Sequence, residues 1–570
     1  MRPKEVVHVN FGTPANHVAT HFWNTQEAYM EYGPSASTPL IDHDVSFREG
    51  LGVHGESTYT PRALFFDVRP EFGTLRTHNA LYGADEDDEM RQQWQGEVVQ
   101  TGETIESSWY AEQLRREDEG AAAEDSAAPQ GRALQYWSDY ARCMLHPRSL
   151  VPVSAPSLHG TTFLQPGVQA FDTYEQGYTV AQAMERDHTI LDDNVRWLAE
   201  DSDLMQAIQV TSSASDAFSG VNGAYLAWLA DEYPKTERVV FQVANRTPAG
   251  DSERSERLRK VYAMNQVLSL TASLDLATLQ VPLGTEAAQN EHVHYNADDL
   301  YERSAVMATY METATLNTRL HELESWGRIV SQLNWRKDTK IAQLGGVFPT
   351  PLLAPIRTKP DPTDALIAAM FAARNMHIDT PQSDPSAAAA VLGRHWHDAS
   401  LSYSHAPFAE AVVARDTDPM AETPTLAAVH KWNPAQSPLL HVAYPSIFRN
   451  LTRDGRPLTS GQEVHKKPST MPAMASLRTT PDTLTLLRDA RALVTHVVSR
   501  REPLEAYGVA SGARTLLDET EGPVGGLDGL RELRETLESA CAAYGAEEET
   551  EGEPGTDEEW GQEDDEGWDI

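Results

Sequence analysis

The feature that most constrains the fold is the stretch at residues 204–243, which combines two apolar runs with a helical segment between them. The first run leads into a small polar loop at 211–220, and the helical segment after it ends at Pro234. Its apolar residues recur at helical spacing, namely Val221, Tyr225, Trp228 and Leu229. This order predicts a parallel crossover unit, whose loop could hold phosphate on backbone N–H groups. An ordinary helix-on-sheet unit with a serine-rich turn gives the same pattern, so the loop alone assigns no ligand.

The beginning of the chain repeats the alternation of strand and helix. Residues 5–11 alternate and are rich in β-formers, so they predict a first strand, followed by a turn at 12–16. Residues 17–32 have helical spacing, and a second strand is predicted at 63–68. These elements favour an open α/β sheet whose loops gather at one edge.

Composition changes along the chain predict its domain organisation. We expect a nucleotide-fold domain, an acidic and partly disordered insertion within it, a second α+β domain, C-terminal helices and a disordered acidic tail. The respective ranges are 1–345, 85–130, 346–481, 482–545 and 546–570. Further helical segments are predicted at 131–144, 174–200 (a long helix or a helix pair), 258–270, 304–328, 483–498 and 527–544. A break before the second domain is predicted at 344–349.

Charge and cysteine content restrict the partners and the compartment. The formal net charge is −39, which argues against direct binding of nucleic acid or anionic lipid. Residues 546–570 alone carry 13 acidic residues and no Lys or Arg. Cys143 and Cys541 are too few for a disulfide framework, which favours a reducing compartment. We expect neither a signal peptide nor a membrane-spanning segment, because no apolar run reaches about 18 residues.

Several stretches together resemble the tubulin/FtsZ superfamily. They are the first strand, loop and helix (5–12 and 16–24), the second strand (59–68), the end of the central helix (231–235), and a C-terminal helix followed by an acidic tail. Three further features resemble the Misato (Dml) branch of that superfamily: the segment DHDVSFREG (42–50), the insertion near 85–130 and the tetrapeptide YEQG (174–177). The resemblance implies a tubulin-like fold with vestigial nucleotide loops at Gly12, Asn16, Asp67, Ser219 and Gly220.

The resemblance also shows how far the phosphate loop departs from tubulins, which use a run of glycines there. The equivalent heptad is 214–220, and only Ser219 and Gly220 keep the tubulin residue types. Asp216 would place a carboxylate beside phosphate oxygens, and Phe218 adds bulk where a tight turn is needed. In the first loop, Pro14 removes one N–H group. We therefore predict no cofactor, with GTP binding kept as the alternative.

No catalytic residue is predicted. The stretch that resembles the tubulin hydrolytic loop is 333–339, ahead of 347–349. The expected acidic positions hold Arg336 and Thr339, while Asp338 is out of register. A guanidinium group cannot act as a general base, so the hydrolytic chemistry is predicted to be lost.

Two groups of polar residues could bind metal, but for both an ordinary polar loop without a metal is favoured. His395 and His397, with His405 nearby, have a spacing that would suit zinc, although a polar loop explains them as well. Asp42 and Asp44 flank a histidine and could bind a cation, or could form a hydrogen-bonded loop. We predict no metal site.

The Misato resemblance implies a non-enzymatic scaffold involved in mitochondrial distribution and morphology and in partitioning of the organelle and its DNA. It implies peripheral attachment to the cytosolic face of the mitochondrion, a cytoplasmic pool, and protein partners at that surface or on the cytoskeleton. The alternatives are a self-assembling GTPase and a chaperone-type partner of cytoskeletal subunits.

Overall fold

The structure is a computed structural model. It describes residues 4–30, 41–51, 57–73, 75, 134, 136–153, 171–246, 250, 252–283, 292–321, 324–348, 407–415, 429–432, 440–441, 443–456, 458, 468–500, 503–509 and 524–545. The predicted insertion at 85–130, the histidines at 395–405 and the tail at 546–570 lie outside these ranges.

The described residues form the following strands and helices. The strands are β1 (Val6–Phe11), β2 (Phe47–Leu51), β3 (Ser57–Pro61), β4 (Ala63–Val68), β5 (Leu150–Val153), β6 (Ala207–Ser213), β7 (Glu237–Val243), β8 (Leu279–Leu283), β9 (Gln343–Val347), β10 (Ala409–Arg415), β11 (Val429–Trp432) and β12 (Ala473–Thr479). The helices are α1 (Thr13–Ala28), α2 (Tyr174–His188), α3 (Arg196–Glu200), α4 (Phe218–Glu232), α5 (Glu253–Leu276), α6 (Leu300–Ala314), α7 (Trp326–Leu333), α8 (Thr483–Arg500) and α9 (Gly526–Tyr544).

A parallel six-stranded sheet, in the order β5-β4-β1-β6-β7-β8, confirms the predicted α/β fold. Every residue of β1, β4 and β6 is buried, as expected for strands covered by helices on both faces. Because all the strands are parallel, their carboxyl ends share one edge, where ligands of open α/β sheets bind.

Two boundaries near that edge differ from the prediction. Helix α1 begins at Thr13 rather than at residue 17, because Pro14 lies in its first turn, where proline is well tolerated. The polar loop predicted at 211–220 shrinks to residues 214–217. Strand β6 continues to Ser213 through ladder pairs with β7, and α4 already begins at Phe218. Small polar residues thus serve as strand and helix rather than as an open loop.

Other predicted elements are partly correct. Helices α5, α8 and α9 confirm the predictions at 258–270, 483–498 and 527–544. The segment 174–200, predicted as a long helix or a helix pair, forms α2, a π-helical turn and α3. The helical segment predicted at 304–328 is confirmed only in part, since α6 ends at Ala314 and α7 begins at Trp326. Within the described part of 131–144, only a 3₁₀ turn forms, at Trp137–Tyr140.

The second sheet has the order β11-β10-β12-β9 and mixes parallel and antiparallel pairs. Most of the segment at 344–349, where the sequence predicts a break before a second domain, belongs to β9, which pairs with β12. Helix α6 contacts the second sheet through a buried ionic cluster. Glu312 of α6 contacts Arg415 of β10 at 2.9 Å and Arg319 at 3.3 Å, with all three side chains buried.

The C-terminal helices α8 and α9 pack against each other and against α5. The hydroxyl of Tyr544, at the end of α9, accepts a hydrogen bond from Ile341 N at 2.7 Å. Across the part of the chain that the structure describes, no helix combines the length and apolar character needed to cross a membrane.

Candidate nucleotide site

The predicted site residues meet at the carboxyl edge of the first sheet. Gly12 follows β1, and its N–H donates to Phe66 O of β4 at 2.9 Å. Asn16, in the first turns of α1, donates from Nδ2 to Asp67 Oδ2 at 2.8 Å. Ser219 and Gly220 open α4, the neighbouring helix of the crossover unit. The structure therefore gathers the two nucleotide-type loops that the sequence suggested.

The ring of Phe218 fills the space above Gly12. Gly12 has a φ of 89°, a conformation that favours glycine. A Cβ atom placed there would lie 2.8 Å from Cγ and Cδ2 of Phe218. Phe218 is only 5% exposed and packs edge-on against Phe171, with ring centroids 5.5 Å apart. The close approach that glycine allows is thus used by an aromatic side chain of the same protein.

The carboxylate of Asp216 accepts the hydrogen bonds of the second loop. Ser213 Oγ donates to Asp216 Oδ2 at 2.6 Å, and the backbone N–H of Phe218 donates to Oδ1 at 3.0 Å. Asn245 Nδ2, just after β7, donates to Oδ2 at 3.3 Å. Burial raises the pKa of Asp216, and these hydrogen bonds act in the opposite direction. A second anion at this position would meet an acidic group.

The backbone at the start of α4 is satisfied within the chain. Ser219 N donates to Asp216 O and Gly220 N to Ala217 O, both at 3.0 Å. The hydroxyl of Ser219 also donates to Asp216 O, at 2.6 Å. The N–H groups that would cradle a phosphate at a helix start therefore already have acceptors.

Gly220 serves a helix crossing. A Cβ atom on Gly220 would lie 1.8 Å from the carbonyl oxygen of Tyr174 in α2, and one on Gly177 would lie 1.6 Å from Ala217 O. Helices α2 and α4 therefore touch through their backbones at these glycines. This role explains Gly177 of the YEQG segment, which a single sequence could not reveal, because the contact joins residues about 40 positions apart.

Asp67 is buried at the end of β4 and has a full set of donors. They are Thr13 Oγ1 (3.1 Å), Val68 N (2.9 Å), Asn16 Nδ2 (2.8 Å) and Trp137 Nε1 (3.0 Å). Burial, with a smaller contribution from the charge of Glu71, raises the pKa of Asp67 to about 8. The indole of Trp137 was missed at the sequence level, since its residue follows the insertion. Four donors leave this carboxylate little capacity to coordinate a cation.

Metal chemistry finds no support among the residues that the structure describes, which contain no group of three or more His, Cys, Asp or Glu able to hold an ion. The segment at Asp42 and Asp44 is held by Lys4, whose Nζ lies 3.1 Å and 3.3 Å from their carboxylates. Asp42 also accepts a hydrogen bond from Asp44 N. These contacts favour the hydrogen-bonded loop over the cation site.

The stretch at 333–339 lies at the opposite edge of the sheet. Lys340 O accepts a hydrogen bond from Gln280 N at 2.8 Å, near the amino end of β8. The guanidinium of Arg336 stacks over the ring of Phe408 at 4.4 Å, and Thr339 is buried with its N–H donated to Asn334 Oδ1. These residues are far from Gly12 in the fold and serve local packing.

Two side chains occupy the carboxyl edge where the sequence resemblance places a nucleotide. Phe218 occupies the volume above the first loop, and Asp216 supplies a negative group in the second. Both differences come from side chains that replace small residues of the tubulin type.

Comparison with known proteins agrees with the α/β fold. Residues 4–116 match the Misato Segment II tubulin-like domain, and residues 126–320 match a tubulin domain. Protein DML1 of Gibberella zeae is 31% identical over 473 residues, which cover 79% of this chain and 86% of that protein. Protein dml1 of Aspergillus oryzae is 33% identical over 327 residues, 56% of this chain and 63% of that protein.

A more distant relative extends the comparison beyond fungi. Protein misato of Drosophila melanogaster is 28% identical over 355 residues, 56% of this chain and 60% of that protein. The chain thus spans about three-fifths of the length of several relatives and most of the Gibberella protein. It belongs to the Misato/Dml family of tubulin-like proteins.

Proposed function

We propose that this protein is a tubulin-like scaffold that works without binding or hydrolysing GTP, and that it acts in mitochondrial distribution and morphology. We extend this role to partitioning of the organelle and its DNA. The mitochondrial part is carried over from the Misato family. The nucleotide-independent part is supported by one observation, the side chain of Phe218 packed against Gly12.

The energetic argument for a closed cradle has two parts. Moving Phe218 aside would expose an aromatic ring whose burial contributes about 1.5–3 kcal/mol. A phosphate oxygen about 4 Å from an ionised Asp216 would add a repulsion of about 1 kcal/mol in water and about 4 kcal/mol at an effective dielectric constant of about 20. Nucleotide binding would have to offset both costs, and the N–H groups that could do so are already bonded within the chain.

Direct titration tests the nucleotide-independent part. A fluorescent GTP analogue is titrated against the purified protein at micromolar concentration, with an ATP analogue as the matched control. We expect no saturable signal with either nucleotide. Micromolar binding of the GTP analogue that unlabelled GTP competes away would overturn the proposal.

The alternative function is a GTP-binding, self-assembling tubulin-like GTPase. It draws on the retained first loop, where Gly12 keeps a positive φ and Asn16 still contacts Asp67. Sedimentation separates the two functions, because assembly depends on GTP only in the alternative. Pelleting that requires GTP would favour the GTPase, whereas the scaffold predicts the same distribution with and without nucleotide.

We further propose protein partners at the mitochondrial surface or the cytoskeleton, and peripheral attachment at the cytosolic face. The net charge of −39 disfavours direct adsorption to anionic lipid, which points to protein-mediated attachment. Deleting residues 85–130 tests whether the acidic insertion carries the contact. Unchanged mitochondrial shape and an unchanged mitochondrial fraction of the protein would exclude the insertion as the docking element.

A further inference from the structure

We propose that the carboxylate of Asp216 is an internal anion that takes the structural place of a bound phosphate, so that the crossover unit closes without a ligand. The inference rests on the nucleotide-independent part of the proposed function. It gives a specific role to the side chain that distinguishes this loop from a glycine-rich one.

The donors around Asp216 come from separate elements that converge on its two oxygens. Ser213 ends β6, Phe218 begins α4, and Asn245 follows β7. Their donor atoms lie 2.6, 3.0 and 3.3 Å from the carboxylate. A backbone N–H at a helix start and polar groups at neighbouring strand ends form the environment in which parallel α/β folds bind anions.

The loop that carries Asp216 is fixed from a further side. Ser215 Oγ accepts hydrogen bonds from Asn245 N and from Gln266 Nε2 of α5, both at 2.9 Å. Asn265 Nδ2 of the same helix donates to Ser215 O at 2.9 Å. The position of the carboxylate is therefore set by β7 and α5 as well as by its own loop, which is more than an isolated helix cap requires.

The helix that follows favours negative charge at this point and, with the three hydrogen bonds, opposes the effect of burial, which raises the pKa of Asp216. The start of α4 carries the positive end of the helix dipole, and Asp216 lies directly before its first turn. In a nucleotide-binding relative of this fold a ligand supplies that charge. Here the chain supplies it, and Phe218 fills the remaining volume over Gly12.

Chemical rescue can test the inference on the full-length protein. Asp216→Gly removes a CH₂–COO⁻ group, and acetate reproduces it as a free molecule. We expect the variant to unfold at a temperature lower by about 5 °C or more. Acetate at tens of millimolar should recover a measurable part of that loss, while neutral, isosteric acetamide and chloride of equal ionic strength should not.

Matched variants control for the glycine itself and for a failure to fold. Asp203→Gly changes an exposed residue in the turn before β6, so we expect a small shift that acetate does not recover. Asp216→Asn keeps the shape but removes the charge and places an amide group opposite Asn245. We expect it to fold with a lowered midpoint of thermal unfolding. If the glycine variant is insoluble, this midpoint tests the role of the charge.

The results separate the inference about Asp216 from the proposed function. For Asp216→Gly, equal rescue by acetamide and acetate would overturn the proposal that Asp216 acts as an internal anion. A lowered midpoint that acetate does not recover would overturn it too. A wild-type midpoint for Asp216→Asn would overturn it as well. Stabilisation of the unmodified protein by GTP would instead overturn the proposed function, whereas failed rescue without any effect of GTP would remove only the inference about Asp216.

Discussion

The two loops of the candidate site retain tubulin-type residues to different degrees. The first loop keeps its glycine with positive φ, and Asn16 still contacts the carboxylate of Asp67. The second loop keeps Ser219 and Gly220, but Asp216 and Phe218 replace small residues within it. Both loops end up closed, the first because Phe218 from the second covers it.

The difference shows that a retained residue type does not establish a retained ligand. Gly220 is required by the backbone of α2, and Ser219 donates to its own loop. Asp67 is bonded by Asn16 and Trp137. Each of these residues therefore has a structural partner within the chain, and that partner accounts for the residue without a ligand.

The largest effect is expected where the second loop meets α2. Gly220→Ala places a methyl carbon within bonding distance of a backbone oxygen, so we expect a loss of more than about 4 kcal/mol in the free energy of unfolding, or insoluble protein. Gly327→Ala in α7 is the matched control, because its new carbon would meet only the flexible end of Glu237 at 3.3 Å. Similar stability of the two variants by chemical denaturation would refute the close crossing.

Phe218 should have the next largest effect. Phe218→Ala removes a buried ring from above Gly12, and such truncations cost about 3–5 kcal/mol. Tyr59→Ala, at a ring that is 47% exposed, should cost less than about 1 kcal/mol. Denaturant midpoints measure both. GTP binding gained by Phe218→Ala alone would show that ring volume, without the charge of Asp216, keeps the nucleotide out.

Asp67, which contacts the first loop, should make the stability of the protein depend on pH. Since the pKa of Asp67 is raised to about 8 in the folded protein, the folded state holds its proton more tightly than the unfolded state, where the pKa is near 4. Its contribution to stability is therefore complete below about pH 4 and is lost as the pH rises towards 8, with a slope of up to about 1.4 kcal/mol per unit.

Asp67→Asn tests that slope. The amide cannot titrate, so the variant should lack this slope, and any stability advantage of the unmodified protein at pH 5 should shrink by pH 8. Glu71→Gln is the companion variant, since the charge of Glu71 helps to raise the pKa of Asp67. Thermal midpoints that run parallel over this pH range would exclude Asp67 as the source.

Local sequence patterns predicted the parallel sheet because buried strands and amphipathic helices carry their own periodicity. The crossover unit at 204–243 and helix α9 follow from such patterns. Two contacts could not be predicted, because each joins positions distant in the sequence. They are the close approach of Gly177 to Ala217 and the hydrogen bond from the indole of Trp137 to Asp67. The polar residues at 211–213 predict a loop from their composition, but their pairing with β7 makes them part of a strand.

The smallest effect is expected at the amino-terminal edge of the sheet, where it separates residue identity from geometry. Arg336→Glu places a carboxylate where the tubulin resemblance expects an acid. It removes the stacking on Phe408, which should cost about 0.5–1 kcal/mol of unfolding free energy. We expect no phosphate release from GTP above that of the unmodified protein, because the cradle at the opposite edge remains filled by Phe218. Arg336→Ala is the control for lost stacking. Hydrolysis gained by the glutamate variant but not by the alanine variant would show that GTP binds at the carboxyl edge of the sheet. It would also show that the unmodified protein lacks hydrolysis because Arg336 replaces an acid.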